Sequence, residues 1–293
     1  MGLTSPYHSS DLLIMSFLLS NEPLIRIAVF GSVLVGMVLW ECLTPRRDQG
    51  IGRRARWPGN IGIVIVDTLL VRLFFPITAV ALAMLVEAKG WGLLSAFQVP
   101  FWIAIPVGVI LLDLAIYLQH VLFHAVPALW RLHRMHHADL EFDVTTGIRF
   151  HPIEILLSMG IKLGVIAALG LPAVAVLIFE ILLNATSLFN HGNVKIPAKL
   201  DRVLRWMVVT PDMHRVHHSI KPRETNSNFG FNLPWWDLLF GTYREQPEAG
   251  HLGMTIGIDQ FRNAGEQRLD RMLTQPFRQD TRTYPLGQRE PVE

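Results

Sequence analysis

The sequence predicts an all-α integral membrane bundle of about three spanning helices plus a membrane hairpin, capped by cytoplasmic helices in which histidine is concentrated. Three observations predict it. Of 293 residues, 51% are hydrophobic and only 17% charged, a balance skewed away from soluble domains. Several apolar runs reach the length of a bilayer crossing, and alternating strand patterns are scarce. Ten of the twelve histidines fall between His120 and His218.

In chain order, the short apolar run Leu12 to Leu19 lacks a basic leader and a small-residue cleavage site, and reads as a membrane-surface segment. Leu24 to Leu43 is a first span, with Arg26 and Glu41 only at its ends. Arg46, Arg47, Arg53, Arg54 and Arg56 crowd the following loop and place it in the cytoplasm. Ile61 to Val86 is a second span, carrying Asp67, Arg72 and Pro76. Phe101 to Gln119 is a third, rising about 29 Å as a helix. Ile153 to Leu188 is too long for one crossing and is interrupted by Gly170-Leu171-Pro172, so it predicts a hairpin whose mouths, Phe150 and Asn190, share one side.

His120 and everything after it, the hairpin excepted, then belongs to the cytoplasmic surface, with residues 120–152 and 189–250 forming the cap. The organisation expected is an N-terminal membrane region (1–104), a catalytic region (105–250) and a polar tail (251–293), all one structural unit. The tail from Phe261, rich in charge, Gln and Pro, is expected to cover little. A net charge of +2 gives no ground for a nucleic-acid partner, and the basic loop is accounted for by topology and anionic lipid. The single cysteine, Cys42, excludes an internal disulfide. Gly50-Ile-Gly52 imitates a dinucleotide fingerprint, but no strand precedes it and arginines fill it, so reducing equivalents must come from another molecule.

The histidines carry the chemistry. His120 and His124 stand at i and i+4, and His133-Arg-Met-His136-His137 is repeated in form by His214-Arg-Val-His217-His218. On helices such spacings bring imidazoles to one face. Eight donors are too many for one ion, so two metal ions sharing the set is the economical reading. Imidazole suits Zn, Cu, Fe or Ni. His151, in Phe-His-Pro, and His191, in Phe-Asn-His-Gly-Asn, sit at the hairpin mouths as further ligands or as groups that orient ligands. His8 and His251 read as solvated. Asp113 and Tyr117 share a stripe of the third span with His120 and His124, and Asp113 reads as a packing group, with Arg72 as a partner, or as support for the site. A membrane metal transporter or metal-binding sensor is the alternative reading of the histidine clusters. Against it, a transporter places ionisable groups along a path at mid-bilayer depth, whereas these gather beyond the helix ends.

The segments "DLAIYLQHVLFH", "LWRLHRMHHADLEFDVTTGIRFHP", "FNHGNV" and "TPDMHRVHHS", followed by "NSNFGFNLPWWDLLFGTY", resemble in order the signature blocks of the fatty acid hydroxylase superfamily, also called the sterol desaturase family. The resemblance covers about residues 105 to 245. It implies an integral membrane, di-iron, O2-dependent enzyme that hydroxylates or desaturates a C–H bond of a lipid, with its active site on the cytoplasmic face. It implies His120, His124, His133, His136, His137, His214, His217 and His218 as metal ligands, and extends with less weight to His151 and His191. Electrons would come from a ferredoxin, a cytochrome b5-like protein or a reductase. Asn226 stands where the family commonly has Asp, and Phe229 where Tyr is usual. Because protonated imidazole cannot bind metal, iron loss is expected as pH falls from about 6.5 to 5.

Overall fold

The computed structural model describes residues 9–278 and 284–286, and these are helical apart from turns, loops and isolated bridges. Helix α1 is Ser9–Ser20, α2 Glu22–Leu43, α3 Arg53–Phe74, α4 Ala79–Lys89, α5 Leu93–Ala96, α6 Phe101–Ala125 and α7 Pro127–His137. The hairpin follows as α8, Pro152–Leu169, and α9, Ala173–Asn190. Short helices complete the cap and tail: α10 Ala198–Leu204, α11 Pro211–His217, α12 Pro222–Thr225, α13 Trp235–Phe240, α14 Gly250–Gly253 and α15 Leu269–Met272. Five helical runs, α2, α3 through α5, α6, α8 and α9, are long and apolar enough to cross a membrane. The chain is an integral membrane protein.

Helix α3 shows how the sequence divides its faces. Ile61, Ile65, Leu69 and Leu73, four residues apart, are exposed, as a lipid-facing stripe requires. The opposite face buries Arg56, Gly59, Asn60, Ile63 and Asp67. The second span is not one helix over 61–86. Pro76 has no N–H to donate and pushes Phe75 to extended geometry (φ −121°, ψ 88°), ending α3. Thr78 restarts the chain by accepting from the amide of Ala81 at 3.1 Å, which caps α4.

The hairpin has the expected form. Gly170 ends α8 in the left-handed conformation (φ 70°), and Pro172 opens α9. Helix α9 is central, packing on α2, α4 and α6 in an apolar core that includes Leu112, Ile116, Ile166, Leu171, Val176 and Phe179. Glu180 on α9 pairs with Arg26 of α2 at 2.7 Å and with Lys162 of α8, so three helices share one compensated charge cluster. At the hairpin mouth a side chain on Gly147 would collide with the carbonyl of Ser187 and crowd His191, so glycine lets the loop lie against α9.

The basic loop has a second role besides topology. Arg56 is fully buried, and its guanidinium donates to both carboxylate oxygens of Asp139 at 2.6 and 2.7 Å and to Asp143 at 2.6 Å. Arg46 reaches Asp212, and Arg47 reaches the carbonyls of His251 and Met254. The start of α3 is thereby riveted to the loop that follows α7.

The tail corrects the expectation that it covers little. Gln267 is buried and donates to the carbonyl of Ala138 at 3.1 Å while accepting from Arg149 at 2.7 Å. Met272 packs on Ile63 and Met135. Tyr284 stacks on Trp130 with ring centroids 5.5 Å apart. A polar composition did not keep these residues in solvent, because their amides and carbonyls complete hydrogen bonds of the cap. His8 lies outside the described residues.

Removing one partner of a buried ion pair strands the other charge, at a cost of about 3–5 kcal/mol. Arg56→Ala leaves Asp139 and Asp143 unpaired and is expected to lower thermal stability by that order, measured as Tm in detergent against wild type. An unchanged Tm would contradict the role given to Arg56.

Candidate metal centre

Helix α6 runs past the bilayer-length segment to present His120 and His124 one turn apart, and α7 presents His133, His136 and His137. Helix α11 supplies His214 and His217, its C-cap is His218, and the C-cap of α9 is His191. All nine side chains are buried, none more than 3% exposed.

They form two groups. Nitrogens of His120, His124, His133, His137 and His217 all lie within 4.8 Å of one another, and so do those of His136, His191, His214 and His218. The groups abut, with ring centroids of His137 and His218 4.7 Å apart and of His214 and His217 5.1 Å apart. His191 thus joins a group, while His151 does not. The ring of His151 caps α8 by accepting from the amide of Ile153 at 3.3 Å, and its other nitrogen meets the carbonyl of Leu273 at 3.2 Å. His251 is buried rather than solvated, 3.7 Å from Asp212.

Six imidazoles are held by Nδ1. His120 donates to the carbonyl of Phe229 at 2.7 Å, His136 to Arg149 at 3.0 Å, His191 to Ser187 at 2.8 Å and His217 to Ser227 at 2.7 Å. His133 donates to the carboxylate of Glu154 at 2.7 Å and His124 to the amide oxygen of Asn226 at 3.1 Å. Carbonyl oxygens only accept, so the proton of each neutral ring sits on Nδ1 and Nε2 presents a lone pair. The Nε2 atoms of these rings then face one another, His120 and His133 at 3.1 Å and His136 and His191 at 3.3 Å. Two lone pairs at that separation repel. Two nitrogens each about 2.1 Å from one ion stand about 3.0–3.4 Å apart, so the spacing fits a shared cation. Nε2 of His124, His137, His217 and His218 is buried without any hydrogen-bond partner, as a ligand atom awaiting an ion would be. The donor set therefore suits two metal ions.

Some of these supports were not read from the sequence. Asn226 performs with an amide oxygen the accepting role a carboxylate would have. Phe229 acts through its backbone carbonyl, which makes its side-chain identity immaterial to that contact. Glu154 carries a sequence signal of its own, an acid in the apolar 153–188 block, and its role shows only in its contact with His133. Asp113 has structural partners, the indole of Trp236 at 2.8 Å and the amide of Leu233 at 3.3 Å, rather than Arg72. Tyr117 bonds Thr242 at 2.9 Å. Around the cage, Phe150 stacks on His136 with centroids 4.5 Å apart. Burial alone would raise the carboxyl of Asp139, but Arg56 and Arg149 hold it down to about 2. A cavity of about 260 Å³ reaches His120 and His133 between α3, α6 and α8, walled mainly by apolar groups such as Phe123, Phe150 and Phe231.

Burial pushes His133 and His191 down to about 3. His136, His137, His214, His217 and His218 are lowered well below the usual value by burial and by one another. The folded chain thus resists protonation through the window in which free histidine charges, and the expected range of acid sensitivity moves. In the metal-free protein the unfolded chain takes up protons first. The contribution of these histidines to stability is full above about pH 6.5 and is lost progressively as pH drops below it. Thermal melts of metal-free protein across pH 7 to 4 are expected to show that decline, and a flat profile would contradict it.

Residues 105–242 match the family described as fatty acid hydroxylase. An ornithine lipid hydroxylase of Rhizobium tropici is 29% identical over 195 residues, which are 66% of this chain and 56% of that protein. An alkylglycerol monooxygenase of Xenopus tropicalis is 27% identical over 51% of this chain and 32% of its own length, and the Homo sapiens alkylglycerol monooxygenase 26% identical over 58% and 38%. The chain therefore spans little more than half of the first relative and about a third of the other two. No solved structure matches it. Over residues 105–242, then, the chain is similar to the fatty acid hydroxylase family.

Proposed function

We propose that the protein is a membrane-bound, O2-dependent oxidoreductase that hydroxylates or desaturates a C–H bond of a lipid at two iron ions. One ion would be held by His120, His124, His133, His137 and His217, and the other by His136, His191, His214 and His218. The observation that carries this reading is the pair of abutting all-imidazole groups at the end of an apolar cavity set among membrane helices. The relatives support it, being named for oxidising an ornithine lipid and an alkylglycerol. His151 is not among the proposed ligands, since its nitrogens are engaged elsewhere.

Iron bound here would supply the reduction of O2 and the oxidising power for an unactivated C–H bond. The chain's own residues do the rest. Carbonyls, Asn226 and Glu154 fix the tautomer and direction of six of the nine rings, which keeps those donors in place through turnover. Phe123, Phe150 and Phe231 line the cavity and keep bulk water from the reacting carbon. A lipid can enter such a cavity between helices without leaving the bilayer. Electrons would arrive from an external ferredoxin, cytochrome b5-like protein or reductase at the cytoplasmic face, the side assigned by the arginines between α2 and α3. The metal-transporter reading is not favoured, because the histidines form a closed, fully buried cage instead of a path.

Lipid profiles of cells expressing wild type or His136→Ala test the activity. Wild-type cells are expected to contain a lipid gaining a hydroxyl or a double bond, and the variant to lack it. Metal flux in proteoliposomes without O2 use would favour transport instead. For the ligand assignment, His191→Ala is expected to lower iron from about two to about one per chain by elemental analysis, while unchanged content would contradict it.

A further inference from the structure

Helix α13 belongs to the cap by its place in the chain, yet it lies beside the middle of a spanning helix. The amide of Leu233 and the indole of Trp236 donate to Asp113 of α6 at 3.3 and 2.8 Å, and Phe240 stacks on Tyr117 with ring centroids 5.5 Å apart. Helix α6 has 25 residues, and a bilayer's hydrocarbon takes up about 20. Whichever of its residues fill that layer, Asp113 lies about 10 Å or more inside the edge nearer the histidines. Residues 233–240 are therefore held at bilayer depth.

What the segment exposes suits that depth. Trp235, Leu238, Leu239 and Phe240 are between 45% and 70% exposed. Its polar groups are paired inside the protein instead: the indole of Trp235 donates to the carbonyl of Trp206 at 2.7 Å, and Asp237 accepts from the amides of Phe229 and Gly230 and from the hydroxyl of Thr242. Hydrocarbon demands such pairing, because it offers no partner of its own. Through the Trp235–Trp206 bond the apolar face continues into Val203, Trp206 and Met207, which are also exposed. Its charged neighbours match a lipid surface. The exposed charges of α10, Lys199 and Arg202, are both basic, since Asp201 is buried and paired with Arg205 at 2.7 Å.

We propose that α13, together with residues 203–207, forms a lipid-docking face immersed in the hydrocarbon of the leaflet nearest the histidine groups. The cap is then partly embedded, where the sequence suggests that everything after His120 except the hairpin rests at the surface. Asp237 ties the immersed helix to Phe229, whose carbonyl orients His120, so the leaflet and the candidate metal centre share one support. Nothing in this proposal depends on iron, O2 or a particular substrate, so it stands or falls apart from the proposed chemistry.

Spin labels on the full-length protein, in vesicles of phosphatidylcholine with phosphatidylglycerol, test the immersion. Cys42→Ser removes the only cysteine. Nitroxides are then attached singly at Leu239→Cys and Leu238→Cys, with Leu69→Cys on the lipid-facing stripe of α3 and Arg268→Cys on the exposed tail as references. Collisions with O2, which dissolves in hydrocarbon, are compared with collisions with a polar nickel chelate, which does not. The ratio of the two at Leu239 and Leu238 is expected to match that at Leu69 and to exceed that at Arg268 by about tenfold or more. A ratio equal to that at Arg268 would overturn the proposal, and is the result expected of a face kept for a soluble protein. Low collision rates with both reagents would overturn it too, because they mark a face covered by a second copy of the chain. The two sites are labelled separately, and each variant's Tm is compared with that of the unlabelled protein, so a single variant that fails to fold leaves the other to decide.

Discussion

The arrangement depends on one constraint: imidazole rings tied at Nδ1 to accepting oxygens, with the Nε2 lone pairs of His120 and His133, and of His136 and His191, aimed at one another across 3.1 and 3.3 Å. Such a cluster is repulsive by itself. It is also buried, so water cannot relieve the repulsion and protonation is resisted by the low dielectric. A cation at each group turns the same geometry from a liability into a bonding shell. This is why the histidines read as a proposed metal cage and not as a packed polar core.

The rest of the molecule holds the rings in that opposed geometry. Arg149 places its guanidinium on the carbonyl of Met135 at 2.9 Å, while its own carbonyl receives His136. Arg149 in turn is held by Asn60 of α3 and Gln267 of the tail, so a spanning helix and the C-terminal segment both brace one histidine. Arg56 clamps the loop after α7 through Asp139 and Asp143. Asp237 accepts from the amides of Phe229 and Gly230 at 2.8 and 2.9 Å, which fixes the carbonyl that orients His120. Buried charge is used here to specify geometry near the site, and each of these charged groups has a partner. Asp67 is the exception, and it borders the cavity instead of the frame.

Much of this was legible in the sequence because its signals are local. Apolar runs of bilayer length marked the spans, Gly170-Leu171-Pro172 marked the hairpin turn, and the i, i+3, i+4 spacing marked which imidazoles share a helix face. Pro76 carries a local signal as well: the helix stops there because the residue before a proline leaves the α region. The non-local features were not readable. That Arg56 is buried against Asp139 and Asp143 follows only from the fold, since five arginines in a loop carry an equally good topological explanation. The tail's polar composition concealed Gln267 and Tyr284, whose hydrogen bonds lie more than a hundred residues away or on another element. His151 and His191 looked alike as lone histidines at helix ends, and only the packing of α9 against the loop at Gly147 brings the second into the cage.

X-ray absorption at the iron edge of purified, iron-loaded protein tests the central claim most directly. The account predicts a first shell dominated by nitrogen at about 2.1 Å, with the multiple scattering of several imidazole rings per ion. A shell of sulfur, or of oxygen without imidazole scattering, would contradict it.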